Sequence, residues 1–149
     1  MVTTVGELMR KNLHIIEDSA SIQDTAKLMN DKNVSSLLIL DKNGKPLGLV
    51  TERDLVRRVC INDVRTSQVT NKEIMSSPLI IINSKSSPPS AIDLMLKHNV
   101  RHLIVIDDEA ADISKPIGIV TPLDLMRYEE YARDDERKDD LEMILEYYI

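Results

Sequence analysis

A chain of 149 residues with 42% hydrophobic content is long enough to bury one core or two small dependent ones. Its net charge of −6 is uneven: residues 1–128 hold 16 acidic and 16 basic side chains, whereas residues 129–149 hold 9 acidic and 3 basic. A neutral body with an acidic tail gains little from phosphate backbones, so nucleic-acid binding is not the expected role. The single cysteine, Cys60, excludes an internal disulfide and fits a reducing cytoplasm, where it is expected to fill the end of a helix. With no apolar leader and no run of membrane-spanning length, a cytoplasmic protein without a membrane partner is expected. Trp and Phe are absent, so the core must be built from Ile, Leu, Val and Met, and a ring-shaped ligand would stack on aliphatic side chains.

In chain order, Thr4-Val5-Gly6-Glu7 reads as a threonine capping box that opens a helical turn. A strand is expected near His14-Ile15-Ile16, a helix over residues 21–32 and a strand over 36–40. A turn leads to a further strand over 47–50 and then to a helix opened by Thr51. The run Leu37-Leu38-Ile39-Leu40 lacks alternation, as in a strand covered on both faces. Residues 62–69 are polar and read as a linker.

The same elements then return. Thr70-Asn71-Lys72-Glu73 repeats the first box at an offset of 66, which also pairs Ile15 with Ile81, Ser21 with Ser87, Met29 with Met95, Asn33 with Asn99 and Leu37 with Leu103. Beyond Asp107 the offset becomes 70, because the second copy carries a longer turn at residues 108–114. The strands of this copy are expected at 79–82, 102–106 and 117–120, with a helix over 87–98. The fold class is therefore α/β (α+β): two β-α-β-β-α repeats packed about a pseudo-two-fold. The expected divisions are 1–61 for the first repeat, 62–69 for the linker, 70–128 for the second repeat and 129–149 for an acidic C-terminal helix. In that tail Leu141, Ile144, Leu145 and Tyr148 share one helical face.

The strongest internal match is Gly48-Leu49-Val50-Thr51-Glu52-Arg53-Asp54-Leu55 with Gly118-Ile119-Val120-Thr121-Pro122-Leu123-Asp124-Leu125. Two readings fit it. Thr51 and Thr121 cap a helix while Asp54 and Asp124 reach back to a free amide. Alternatively, hydroxyl, amides and carboxylate receive the phosphate and ribose of a nucleotide.

The double motif, the repeat order and the Val-x-x-Leu approach to each middle strand resemble the tandem cystathionine beta-synthase (CBS) domain pair, or Bateman module. That resemblance covers all but the C-terminal tail. It implies clefts between the paired sheets that bind AMP, ADP, ATP or S-adenosylmethionine as a regulatory ligand, with no cofactor required and no catalysis. Carried onto this chain, one set joins Thr51 and Asp54 with Pro78, Leu79, Ile80, Val100, Arg101 and His102. The other joins Thr121 and Asp124 with Asn12, Leu13, Val34, Ser35 and Ser36.

No glycine-rich phosphate loop, metal-ligand cluster or activated nucleophile stands out, so an enzyme is not expected. The expected function is a stand-alone, energy-sensing regulatory protein that binds an adenine nucleotide, pairs as a homodimer and signals in trans to a protein partner. A ligand-free oligomerisation scaffold is the alternative reading.

Overall fold

Apolar residues in each half of the chain close a three-stranded sheet, and a helix covers it. The computed structural model describes residues 3–107 and 115–126, so the expected tail helix and the longer turn at 108–114 lie outside the described residues. The chain divides into two compact units. One is continuous, Leu13–Leu79; the other is split, joining Met1–Asn12 to Ile80–Ile149.

In the continuous unit, β1 (Ile15–Glu17) runs parallel to β2 (Ser36–Leu40), and β2 runs antiparallel to β3 (Pro46–Thr51), in the order β1-β2-β3. A parallel pair needs a crossover, and α2 (Ile22–Lys32) supplies it. The β2–β3 turn is tied by Asp41, whose Oδ1 accepts from the amides of Asn43 (2.8 Å) and Lys45 (2.9 Å), while Gly44 takes a φ of 82°. β3 ends in α3 (Glu52–Asp54), which continues as a π-helical stretch over Leu55–Cys60. A short 3₁₀ turn, Thr66–Gln68, lies within the linker expected at 62–69.

The split unit repeats this order with β4 (Ile81–Asn83), α5 (Pro88–His98), β5 (Leu103–Ile106), β6 (Pro116–Val120) and α6 (Pro122–Leu125). Local chemistry explains the matching helix ends. Ser21 and Ser87 accept from the amides of Asp24 (3.1 Å) and Ser90 (3.3 Å). Asn33 and Asn99 close the helices in the left-handed conformation, at φ 53° and 52°. The middle strands are the buried ones, Leu37, Leu38 and Ile39 in one unit and Leu103 to Ile106 in the other. The mixed α+β class expected from the sequence is the one observed.

The leading helices sit where the repeat alone does not put them. α1 (Val5–Leu8), at the start of the first copy, packs in the split unit: the Val5 and Gly6 amides donate to the carbonyls of Ser86 (2.9 Å) and Ser84 (2.8 Å). α4 (Asn71–Ile74), at the start of the second copy, packs in the continuous unit, with Asn71 and Lys72 donating to Ala20 and Asp18, each at 3.0 Å. The compact units therefore cut the chain at 12/13 and 79/80, whereas the repeat cuts it near the linker.

The capping box expected at Thr4 does not form, although its counterpart does. Thr4 makes no side-chain cap bond, although the first amides of α1 and α4 meet backbone carbonyls in the same pattern, Glu7 donating to Thr4 O at 3.1 Å and Glu73 to Thr70 O at 3.2 Å. At Thr70 the amide and hydroxyl both donate to Glu73 Oε2, at 2.8 and 3.1 Å. These bonds hold the Glu73 carboxyl below the usual carboxylate range. Cys60 also departs from expectation: it is exposed and so fills no core.

Candidate functional site

Beyond each leading helix the chain crosses the end strand of its own unit. Arg10 exchanges backbone hydrogen bonds with Ile119 (2.8 and 3.0 Å), and Ser76 exchanges them with Leu49 (3.0 and 2.7 Å). This crossing explains the glycine that opens each repeated motif. A Cβ on Gly48 would stand 2.5 Å from the Ser76 carbonyl oxygen, and one on Gly118 would meet the Met9 sulfur and, at 2.9 Å, the Arg10 carbonyl oxygen.

The strands deliver Thr51 and Thr121 to the start of the next helix, where both capping boxes form. Asp54 Oδ2 accepts from the Thr51 amide (3.0 Å) and hydroxyl (3.2 Å); Asp124 Oδ2 accepts from the Thr121 amide (2.9 Å) and hydroxyl (3.0 Å). Both aspartates are buried, at 5% and 4% exposure. Burial of a carboxylate is tolerated because each is hydrogen-bonded on more than one side.

The second oxygen of each carboxylate distinguishes the units. Ser76 Oγ donates to Asp54 Oδ1 at 2.8 Å, with Arg58 Nε 3.6 Å from the same oxygen. Arg58 also donates through Nη1 to the carbonyls of Ile74 and Met75, both at 3.0 Å, and so ties the end of α4 to the π-helical stretch. In the split unit the residue at Ser76's place in the repeat is Arg10, whose Nε donates to Asp124 Oδ1 at 3.0 Å. Arg10, Ser76 and Arg58 belong to neither set named from the sequence. The offset of 66 pairs Arg10 with Ser76, but identity between copies is the signal a repeat offers, and this pair has none.

Each of those sets draws on both units. Within the continuous unit, Ser36 pairs with Thr51 across the β2–β3 ladder and the Glu52 amide donates to Ser35 O at 3.1 Å, so Ser35, Ser36, Thr51 and Asp54 are neighbours. Val34 follows the left-handed Asn33 and donates to Met29 O at 3.0 Å. Leu13 is half-buried, Leu79 buried, and Pro78 exposed in cis linkage to Ser77.

In the split unit, Leu103 pairs with Val120, which brings His102 to the level of Thr121. His102 feels Arg101, Arg10 and Asp124: burial first, then the two cations, push its pKa down to about 4 against the opposing pull of Asp124. Its imidazole is therefore neutral near pH 7. Val100 donates to Met95 O at 3.0 Å and Ile80 O accepts from Ile104 at 3.0 Å, both short of the motif, while Asn12 is exposed. Among the described residues no three His, Cys, Asp or Glu side chains gather as metal ligands do, and no helix is long and apolar enough to cross a membrane.

Comparison with known proteins agrees with this double arrangement. The family model described as "CBS domain" matches residues 5–60 and again 72–131. An uncharacterized protein of Methanopyrus kandleri is 30% identical over 128 residues, covering 86% of this chain and 63% of that protein. An inosine-5'-monophosphate dehydrogenase of Nitrosopumilus maritimus is 29% identical over 133 residues, covering 89% of this chain and 26% of the dehydrogenase. The chain thus spans less than two thirds of either relative. A solved conserved CBS domain protein of Thermoplasma acidophilum, described as of unknown function, superposes with a TM-score of 0.83 at 23% identity, over 98% of this chain and 78% of that one. With two matched copies, two sheets of one topology and two capped Thr-x-x-Asp motifs, the chain belongs to the CBS-domain family as a tandem CBS pair.

Proposed function

We propose that this CBS pair is a non-catalytic regulatory module that binds an adenosine-containing ligand, AMP, ADP, ATP or S-adenosylmethionine, and passes its occupancy to a protein partner in trans. The carrying observation is that both units hold a buried aspartate at a helix start, beside a threonine hydroxyl and within reach of strand-start polar groups. A fixed carboxylate is a pre-oriented acceptor for the two hydroxyls of a ribose. The chemistry these groups offer is recognition chemistry: hydroxyls, guanidinium groups and carboxylates already engaged in hydrogen bonds. Exposed Val56 and Ile61, at 55% and 71%, support self-association as a homodimer.

A second reading is favoured by one specific fact. Each aspartate already accepts three hydrogen bonds from its own unit, enough for a purely structural pin in a scaffold. Calorimetric titration of the four ligands into the parent chain and into Asp54→Asn and Asp124→Asn separates the two. A pin that only caps loses about 0.5–2 kcal/mol of stability and leaves affinity unchanged. A ribose acceptor loses about 1.5–3 kcal/mol of affinity, roughly ten- to a hundred-fold. Absence of binding to the parent, or affinity untouched in both variants, would decide for the scaffold.

A further inference from the structure

We infer that Arg10 and its repeat counterpart Ser76 set what each aspartate accepts: Arg10 reserves Asp124 for a ligand that brings an anionic group, while Ser76 leaves Asp54 open to an uncharged nucleoside. The inference rests on the adenosine reading above and adds ligand charge to it.

A ribose hydroxyl that approaches Oδ1 competes with the donor already there. At Asp54 that donor is the Ser76 hydroxyl, at 2.8 Å, which can turn about one bond and accept as well as donate. Displacing it strands no charge. At Asp124 the donor is the Arg10 guanidinium, at 3.0 Å on a carboxylate that is 4% exposed. A guanidinium has no acceptor to offer the incoming hydroxyl, and moving it aside leaves a cation without its counter-ion. A phosphate on the same ligand restores one.

The family resemblance joins Arg101 and His102 with Asp54, but within the split unit the β5–β6 register sets His102 level with Thr121, where it feels Arg10 and Asp124, so these positions bear on Asp124 as well. Arg101 and His102 stand where the continuous unit has Ser35 and Ser36, so three repeat positions read Arg, Arg and His in one unit and Ser, Ser and Ser in the other. The two cations are near enough to act on His102 together with Asp124. In the continuous unit Arg58 Nε also stands near Asp54 Oδ1, but at 3.6 Å it is outside hydrogen-bond reach, and its Nη1 bonds to the carbonyls of Ile74 and Met75 remain when the Ser76 hydroxyl is displaced. That unit carries Arg53 in place of Leu123, but on the motif itself and not on the segment that holds the carboxylate.

The test titrates adenosine, ATP and pyrophosphate into the full chain carrying Asp54→Asn, with and without Arg10→Ser. ATP is expected to exceed adenosine by at least about ten-fold, and Arg10→Ser to shrink that ratio to about three-fold or less while weakening pyrophosphate. The reciprocal Ser76→Arg change, made with Asp124→Asn, should impose the same preference for ATP on the Asp54 site, and it carries the test if Arg10→Ser does not fold. ATP binding with an unchanged ratio in both exchanges would overturn the inference and leave the adenosine reading intact. Pyrophosphate binding that needs Arg10, without any binding of adenosine or ATP, would sink the adenosine reading and keep the anion role of Arg10. If none of the three probes binds, both fall.

Discussion

The two units share one topology and fasten their leading helices by opposite means. In the continuous unit, buried Asn71 of α4 donates to Glu17 O at 2.8 Å and accepts from the hydroxyl of buried Thr25 on α2. In the split unit the same two positions are Val5 and Ala91, both fully buried and apolar. One backbone thus accepts a satisfied polar pair or an apolar pair. The difference teaches that the pair, and not either residue, is the unit of exchange: a buried polar group costs little when its partner is present and a great deal when it is not.

The largest expected effect comes from the crossing glycines. At Gly48 a methyl group would strike a backbone carbonyl that is itself hydrogen-bonded to Leu49, so Gly48→Ala should cost about 3 kcal/mol. At Gly118 a methyl group would meet the flexible end of Met9, and the backbone carbonyl of Arg10 lies further off, at 2.9 Å against 2.5 Å for Ser76 O at Gly48, so Gly118→Ala should cost less, about 1–2 kcal/mol. Urea midpoints of the two variants measure the gap, and equal values would mean that the crossings yield alike.

Next comes the buried pair. Asn71→Val alone leaves Thr25 without its acceptor and should cost about 1–3 kcal/mol, whereas the double change with Thr25→Ala should recover much of that loss. A double variant as unstable as the sum of the two singles would break the comparison with Val5 and Ala91.

The smallest expected effect is a pH dependence confined to the split unit. The folded pKa of His102 is about 4 against an ordinary 6.5, so between those values the unfolded chain takes up a proton that the folded chain refuses. The contribution of neutral His102 is therefore present above pH 6.5 and lost as pH falls toward 4. Because the residue keeps some exposure, the loss should be about 1 kcal/mol. His102→Ser, the residue its counterpart carries, should flatten this part of the stability–pH curve; an unchanged slope would place the acid sensitivity elsewhere.

Much of this is legible in the sequence itself. The strands and the long helices follow from their apolar patterns, and the two Thr-x-x-Asp boxes from their spacing. What could not be read is whatever depends on which sheet a segment joins. The offset of 66 equates α1 with α4 but is silent on where either docks, so the steric reason for Gly48 and Gly118 stayed hidden. Arg10 and Ser76 carry no repeat signal, because unlike residues at equivalent positions leave no match between the copies. The Thr4 box has no such account: tertiary carbonyls meet the first amides of α1 and α4 alike, and only at Thr70 does the box form. The π-helical winding of Leu55–Cys60 and the exposure of Cys60 at its end carry no signal in the sequence.

The crossing segments also bear on how such a chain could arise. If one ancestral fold was copied in tandem, the stretch copied and the stretch that folds are out of phase, since Leu13–Leu79 is uninterrupted while its twin is assembled from Met1–Asn12 and Ile80–Ile149. A tandem gene duplication whose boundary falls just before the leading helix, near the linker, produces this phase shift directly. The first leading segment, orphaned at the front, completes the last sheet, and the second completes the sheet before it. A chain cut at the repeat boundary would carry each leading helix away from the sheet it closes, whereas joining residue 12 to residue 80 would excise one whole fold and leave the other with all of its parts.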